Sequence, residues 1–304
     1  MADNSSDGFL PVPEGSIYWK HNYAADKDAG ATRPTILLVH AAVADHTLWD
    51  AQVDFLNAKG WNCLRFDLFG FGQSSPSKEY LSAPGPKSYK PCPQIDRVRQ
   101  TVLGPDASLI VIGLSMGANV ALEYTLAYGA HVVAVGICAG GPRGFTGAND
   151  PAEDALFAEA EACLAKGDVQ RAAELQVHIW GDGPLQPPGR LAPNVAAQML
   201  RWNLDIAARE SEKRGGLAFE MVFEGEAAMG RLGEFEGPML VSWGTFDETF
   251  TTESMKAVVA ARGPGRAVVG REFATGHMIN LEVPGEFNAF VDEWLQGHEL
   301  HKAR

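Results

Sequence analysis

Leu109-Ile110-Val111-Ile112-Gly113-Leu114-Ser115-Met116-Gly117-Ala118-Asn119 is the stretch that decides the fold of this chain. Its run of branched apolar residues is too short for a helix and reads as a strand buried on both faces. It ends in Gly-x-Ser-x-Gly and passes directly into Ala-Asn-Val-Ala-Leu-Glu-Tyr-Thr-Leu, a good helix former. A turn this tight forces the serine into a strained backbone conformation and lifts its hydroxyl clear of the sheet. Gly113 and Gly117 remove the side chains that would collide around it. A loop serine between two chance glycines is the plain alternative. The strand before it and the helix after it favour a nucleophile.

Working outward, similar apolar runs lie at Thr35-Ile36-Leu37-Leu38-Val39-His40, Trp61-Asn62-Cys63-Leu64-Arg65-Phe66 and His131-Val132-Val133-Ala134-Val135-Gly136-Ile137-Cys138. An earlier strand is expected over 15–23, and residues 1–8 read as disordered. Between the runs, 47–59 has helical spacing (Leu48, Gln52, Phe55, Leu56) and stops at Gly60, a natural C-terminal position. Residues 75–93 are rich in Pro, Ser, Gly and Lys, so a long loop is expected before a short helix over 94–103. Strands alternating with helices through short connections imply parallel pairing by right-handed crossovers.

The pattern then changes, and 141–236 contains no convincing strand. Leu156, Phe157, Ala160, Cys163 and Leu164 share one helical face, which Gly167 ends. Asp168 is placed to cap the next helix, with Val169, Ala172, Leu175 and Ile179 on its face. A third helix starts at about Pro193 and carries Val195, Met199, Trp202 and Ile206. Alternation resumes with Pro238-Met239-Leu240-Val241-Ser242-Trp243, a helix over 252–262, a strand over 267–273 and a closing helix. That helix bears Phe287, Phe290, Val291, Trp294 and Leu295 on one stripe. The expected fold class is α/β: a mostly parallel twisted sheet with helices on both faces, formed by 1–141 and 235–304, plus a helical cap inserted over 142–234.

Composition narrows the function. The 304 residues are 46% hydrophobic and 21% charged, ordinary for a globular protein. A formal net charge of -13 argues against nucleic acid or an anionic membrane as a partner, and leaves a small-molecule substrate. Nothing in the sequence indicates a homodimer. Cys63, Cys92, Cys138 and Cys163 have no Cys-x-x-Cys spacing and read as reduced packing residues, while the eight histidines form no ligand pattern, so no metal is expected. The polar, acidic N-terminus lacks the regions of a signal peptide, and no apolar run is long enough to span a bilayer. A cytoplasmic location is the expectation.

A serine hydroxyl needs a base beside it, itself oriented by an acid. Strand ends, where loops converge, supply candidates: Asp247 in Trp243-Gly244-Thr245-Phe246-Asp247 and His277 in Ala274-Thr275-Gly276-His277-Met278. Asp247 could instead be a helix N-cap, with Asp67 or Asp182 as the acid. His40 follows a strand but precedes the serine, and His178 lies in the helical insertion. An oxyanion donor is expected from the N–H of Met116, immediately after the nucleophile at the helix N-terminus.

These motifs in this order resemble an α/β-hydrolase-fold enzyme of the lidded esterase, lactonase and C–C hydrolase group. The resemblance covers 12–296. It rests on His40-Ala41-Ala42, Asp67-Leu68-Phe69-Gly70-Phe71-Gly72-Gln73-Ser74, Gly113-Leu114-Ser115-Met116-Gly117, Gly244-Thr245-Phe246-Asp247 and Gly276-His277. It implies a catalytic triad of Ser115, Asp247 and His277, no cofactor, and a structural role for the residue at His40. The second oxyanion donor would be Ala42 N–H, with Ala41 standing where the group usually has glycine. Serine rather than aspartate at the elbow excludes the epoxide hydrolases and haloalkane dehalogenases, which attack an sp3 carbon. The implied reaction is hydrolysis of a carboxylic ester or lactone through a Ser115 acyl-enzyme. Hydrolysis of a vinylogous diketone C–C bond, or a ligand receptor retaining a slow triad, remain open alternatives. His40, Phe157, Trp180, Met199 and Trp202 are the candidates for substrate contact, with His178 a further cap residue to consider, although such residues are core by default.

Overall fold

Each apolar run found in the sequence becomes a strand, and the strands join in one nine-stranded sheet. The structure is a computed structural model that describes residues 4–262 and 266–300. In chain order the main strands are β1 (Ser5–Val12), β2 (Gly15–Asn22), β3 (Thr35–Val39), β4 (Cys63–Phe66), β5 (Leu109–Leu114), β6 (Val132–Cys138), β7 (Met239–Gly244) and β8 (Val268–Phe273). In space they run β1-β2-β4-β3-β5-β6-β7-β8. From β4 to β8 every neighbour is parallel. β1 and β2 form an antiparallel hairpin, and β2 joins β4 antiparallel. The ninth strand is the two-residue Ser75–Pro76, paired with β2.

The central strands owe their position to their composition. All six residues of β5 and all five of β3 are buried, and each large aliphatic side chain buried there contributes roughly 1.5–3 kcal/mol. An aspartate at Val111 would enter this environment with no partner, so it should unseat the strand. Flanking helices cover the sheet: α1 (Asp50–Ala58), α2 (Pro91–Leu103), α3 (Met116–Ala127), α7 (Thr249–Ala261) and α8 (Pro284–Gly297), with α4 (Pro151–Ala165), α5 (Val169–Val177) and α6 (Pro193–Ser211) lying between β6 and β7 in the chain. Phe287, Phe290, Val291, Trp294 and Leu295 of α8 are buried as their stripe predicts. α1 ends near Gly60, which has φ +85° as its terminating role requires.

Between β6 and β7 the chain leaves the sheet for α4 (Pro151–Ala165), α5 (Val169–Val177) and α6 (Pro193–Ser211). Asp150 and Glu153 close a capping box at the start of α4. Asp168 caps α5 by accepting from Arg171 N–H at 3.1 Å. Ala160, Leu175 and Ile179 make a small separate core, onto which Phe157 and Trp180 pack. Val195, Met199, Trp202 and Ile206 of α6 instead join the main core. After α5 the backbone widens into a π-helical turn, His178–Asp182.

Three expectations need correction. Residues 5–8 are not disordered but belong to β1; residues 1–3 lie outside the described residues. The segment 141–236 does hold a strand, because Glu220–Met221 pairs in parallel with Ser88–Tyr89. The stretch 75–93 is therefore not a plain loop: it contains Ser75–Pro76, the five-residue helix Lys78–Ser82 and Ser88–Tyr89. Such two-residue pairings come from tertiary contact and leave no periodicity in sequence. Among the described residues no helix is long and apolar enough to cross a membrane.

Candidate active site

At the end of β5 the serine takes the strained geometry its glycines anticipate. Ser115 has φ 59° and ψ -124°, its N–H donates to Cys138 O at 2.8 Å, and its carbonyl accepts the first turn of α3. A Cβ on Gly113 would stand 2.0 Å from Gly117 O, and one on Gly117 would stand 2.2 Å from Val39 O and 2.5 Å from His40 O. The two glycines thus let the elbow close on itself and press against the loop after β3. That approach brings Met116 and Ala42 to the same region, and neither N–H has a protein acceptor among the described residues.

The two remaining candidates come from the ends of β7 and β8. Phe246 N–H donates to Thr275 O at 2.9 Å and Thr245 N–H to Phe273 O at 2.8 Å, which laces the loops together. Gly244 is required there, since a Cβ would lie 2.1 Å from Gly276 O. The result places His277 Nδ1 at 2.8 and 2.9 Å from the two Asp247 oxygens, with both side chains buried. Burial pushes the imidazole towards neutrality. The charge and hydrogen bond of Asp247, with the charge of Glu248, outweigh it, so the histidine is held above its ordinary pKa. His277 Nε2 is buried with no hydrogen-bond partner, so Ser115 Oγ is not bonded to it in this structure. The Trp180 ring lies over the imidazole, with centroids 4.4 Å apart.

The rival acids are occupied elsewhere. Asp67 accepts from His46 N–H and Nδ1 at 2.8 Å each and from Gln73 N–H at 2.7 Å. Burial alone would raise its pKa, but these His46 and Gln73 contacts hold it below the usual range. Asp182 accepts from Leu191 N–H, Gly189 N–H and His178. Asp45, His46 and Asp67 bring one ligand-type atom each within 4.8 Å of one another. Those atoms are committed to the hydrogen bonds just given and to Thr47, which spans Asp45 Oδ1 with its N–H and hydroxyl. Burial pushes the thiols of Cys63, Cys92 and Cys138 up to about 12, which removes them as nucleophiles.

Ser115 opens into a cavity of about 1070 Å³, which Ala42, Phe157 and Trp180 also line. Three expected contacts do not reach it. His40 is fully buried, with Nδ1 2.8 Å from Ala41 O and Nε2 accepting from Leu68 N–H at 2.9 Å, and so braces the loop. Met199 is fully buried, with its sulfur packed beside Gly181. Trp202 is 5% exposed and its Nε1–H donates to Thr47 Oγ1. Both sit on the stripe of α6 that faces the main core. His178 does not line the cavity either and bonds to Asp182 at 3.2 Å.

The neighbouring stripe of α6 lines the cavity instead: Asn203, Ile206, Ala207 and Glu210, at i, i+3, i+4 and i+7. A second wall is formed by Leu81 of the helix Lys78–Ser82 and by the strap that follows it, through Ala83, Pro86 and Lys87. Of these residues only Ile206 lay on the stripe read from the sequence; the polar Asn203 and Glu210 flanking it on the same face were the available signal, whereas the strap left none.

One further residue joins the helical segment to both loops. Arg190 pairs with Glu282 at 2.7 and 3.0 Å and donates to the carbonyls of Gly181 and Asp182 in the π-turn. Its guanidinium also lies 5.0 Å from the Phe246 ring centroid. Glu282 in turn accepts from Gly276 N–H at 2.7 Å, immediately before His277. A Cβ on Gly276 would meet Gly181 O at 2.5 Å, so the π-turn rests directly on the histidine loop.

Comparison with known proteins agrees with this architecture. The family model described as alpha/beta hydrolase fold matches residues 34–284. No curated protein matches the chain. Among solved structures, it is similar to a thermophilic esterase from Thermogutta terrifontis at 20% identity and TM-score 0.68, covering 98% of this chain and 100% of that one. A carboxylesterase from Bacillus subtilis aligns at 17% identity and TM-score 0.67, covering 96% and 92%. The enol-lactonase from Burkholderia xenovorans aligns at 18% and 0.63, covering 95% and 100%.

Proposed function

Because the chain belongs to the alpha/beta hydrolase fold family, we propose that it is a serine hydrolase that cleaves a carboxylic ester or lactone of a small, largely apolar substrate. The observation that carries this reading is the state of His277. Its Nδ1 is held by both oxygens of Asp247, while its buried Nε2 is left without a partner. With the proton fixed on Nδ1, the lone pair on Nε2 is available to take the proton of Ser115.

In this mechanism Ser115 Oγ attacks the carbonyl carbon as its proton passes to His277 Nε2. The oxyanion forms beside the N–H groups of Met116 and Ala42, which have no competing protein acceptor among the described residues. Collapse breaks the C–O bond, and Nε2–H returns the proton to the leaving alkoxide. With a lactone, the alcohol stays attached to the acyl group. Water then gives a proton to Nε2 as its oxygen attacks the acyl carbon; the acyl C–Oγ bond breaks, Nε2–H returns that proton to Ser115 Oγ, and the acid leaves, ionising to the carboxylate. Asp247 keeps the tautomer and stabilises the imidazolium at each transfer. We read 142–234 as a cap, whose small core holds Phe157 and Trp180 over the site and excludes water from the reaction.

A fluorophosphonate should label Ser115, and Ser115→Ala should lose both labelling and turnover while keeping its circular-dichroism spectrum. Residual catalysis of roughly 10³–10⁴ over water is expected from the oxyanion donors and binding. Undiminished ester hydrolysis by that variant would rule the mechanism out. Turnover of a panel of esters, lactones and vinylogous diketones identifies the bond.

A further inference from the structure

The cavity has an acidic group in its wall that the hydrolytic mechanism does not use. Glu210 continues the lining stripe of α6 after Asn203, Ile206 and Ala207. Asn203 donates from Nδ2 to Val43 O and Met199 O at 3.3 and 2.8 Å, which fixes one end of the stripe beside the oxyanion loop at Ala42. Seven residues at 1.5 Å rise place Glu210 about 10 Å further along the wall.

The surroundings of Glu210 leave its charge poorly compensated. One oxygen, Oε1, accepts from Leu217 N–H at 2.7 Å. No lysine or arginine forms an ion pair with it among the described residues. Burial therefore dominates and holds its carboxyl above the usual range, with only the Leu217 contact opposing. Other charged groups around the cavity are arranged differently. Glu212 and Arg214 pair with each other. Lys87 donates to Ala83 O and stands 5.5 Å from the Tyr80 ring. Glu161 and Lys213 are exposed, where water screens them. Glu210 is half-buried in line with Ile206 and Ala207 of the wall, and, unlike the half-buried Lys87 and Arg214, it is the acidic group there with no cation paired to it among the described residues.

We propose that Glu210 is a subsite for an ammonium group, so that the preferred substrates carry a positively charged amine about 10 Å from the reacting carbonyl, at the far end of an apolar chain. This deepens the ester or lactone hydrolase reading and rests on it for the position of the carbonyl. An ammonium supplies both the missing countercharge and N–H donors for the free carboxylate oxygen. The apolar stretch between fits Ile206 and Ala207. A cavity of about 1070 Å³ lies just above the usual range for small-molecule sites, which suits a long substrate better than a short acyl ester.

The test has a binding arm and a kinetic arm. Calorimetry compares unbranched alkylammonium ions with alkanols of equal length binding to the wild-type protein, which needs neither turnover nor substitution. One charge-assisted hydrogen bond corresponds to about tenfold to a hundredfold tighter binding of the amine, declining with salt. Glu210→Gln keeps an acceptor for Leu217 N–H and removes the charge, so the amine-to-alkanol ratio should fall to about one. In the kinetic arm, kcat/KM for esters of ω-amino acids is divided by that for length-matched esters ending in methyl, with the same tenfold or greater ratio expected. Equal affinity for amine and alkanol in the wild type, or an undiminished ratio in folded Glu210→Gln, would overturn the subsite. Ester turnover without amine preference defeats the subsite and leaves the hydrolase. Amine-selective binding without turnover or Ser115 labelling defeats the hydrolase and leaves the subsite.

Discussion

His277 is a residue on which two opposing effects can be weighed. Burial alone would drive the imidazole neutral at a lower pH, but Asp247 and Glu248 hold the proton on. A general base works only when deprotonated, so a raised pKa moves the acid limb of the rate profile upward. We expect kcat/KM to rise with pH through a midpoint above the ordinary histidine value of ~6.5. Asp247→Asn removes the raising influence and leaves the burial, so the midpoint should fall. Turnover should drop by roughly 10⁴, because the tautomer is no longer fixed. A profile flat from about pH 5 to 8 would exclude His277 as the base. Gly113 makes a different residue-level case. The obstacle to a Cβ is backbone, the carbonyl of Gly117 at 2.0 Å, and backbone cannot rotate aside as a side chain can. Gly113→Ala should cost about 3 kcal/mol or more, read as a fall in melting temperature together with lost activity.

At the scale of elements, the sequence was most legible where burial is complete. β3 and β5 are covered on both faces and must be apolar throughout, so their composition announces them. The ends of largely buried strands also locate Ser115 and Asp247, whereas His277 follows β8, an edge strand exposed or half-buried at five of its six positions. β1 was illegible for the opposite reason. It pairs on one side only, most of its positions are exposed or half-buried, and Ser5-Ser6-Asp7-Gly8 meets that low demand. α6 lies between these cases. Its apolar stripe at Val195, Met199, Trp202 and Ile206 was visible, but periodicity does not say what covers a stripe: here Val195, Met199 and Trp202 face the main core, while Ile206 at its edge both joins that core and lines the cavity. The cavity takes the adjacent face. Trp202→Ala should therefore cost ~3–5 kcal/mol of stability and leave relative kcat/KM among acyl chain lengths unchanged. Ala207→Leu, on the lining face, should shift preference towards shorter chains with a smaller change in melting temperature. Altered selectivity in Trp202→Ala would mean that the two faces are not separated in this way.

Across the whole molecule, the helical segment and the sheet meet through Arg190, and this makes the geometry of the site a property of both. Its guanidinium holds the π-turn carbonyls, faces Phe246 next to Asp247, and pairs with the Glu282 carboxylate that receives Gly276 N–H next to His277. Nothing in the Gly- and Pro-rich stretch around Arg190 singled it out, because its partners come from three separate places in the chain, two of them distant. Arg190→Met removes one half of a largely buried pair and leaves Glu282, whose side chain is 9% exposed, without its countercharge. Stability should fall by about 3 kcal/mol. A purely structural tie would stop there, with kcat unchanged well below the melting temperature. If the tie also positions the histidine loop, kcat should fall at such temperatures, by up to about a hundredfold for a displacement near 1 Å, and the pH midpoint should move with it. Arg190→Lys retains the charge but not the planar fork that reaches the carboxylate and Gly181 O together. It should therefore recover more of the stability than of kcat. Equal recovery of both would reduce Arg190 to a stabilising contact.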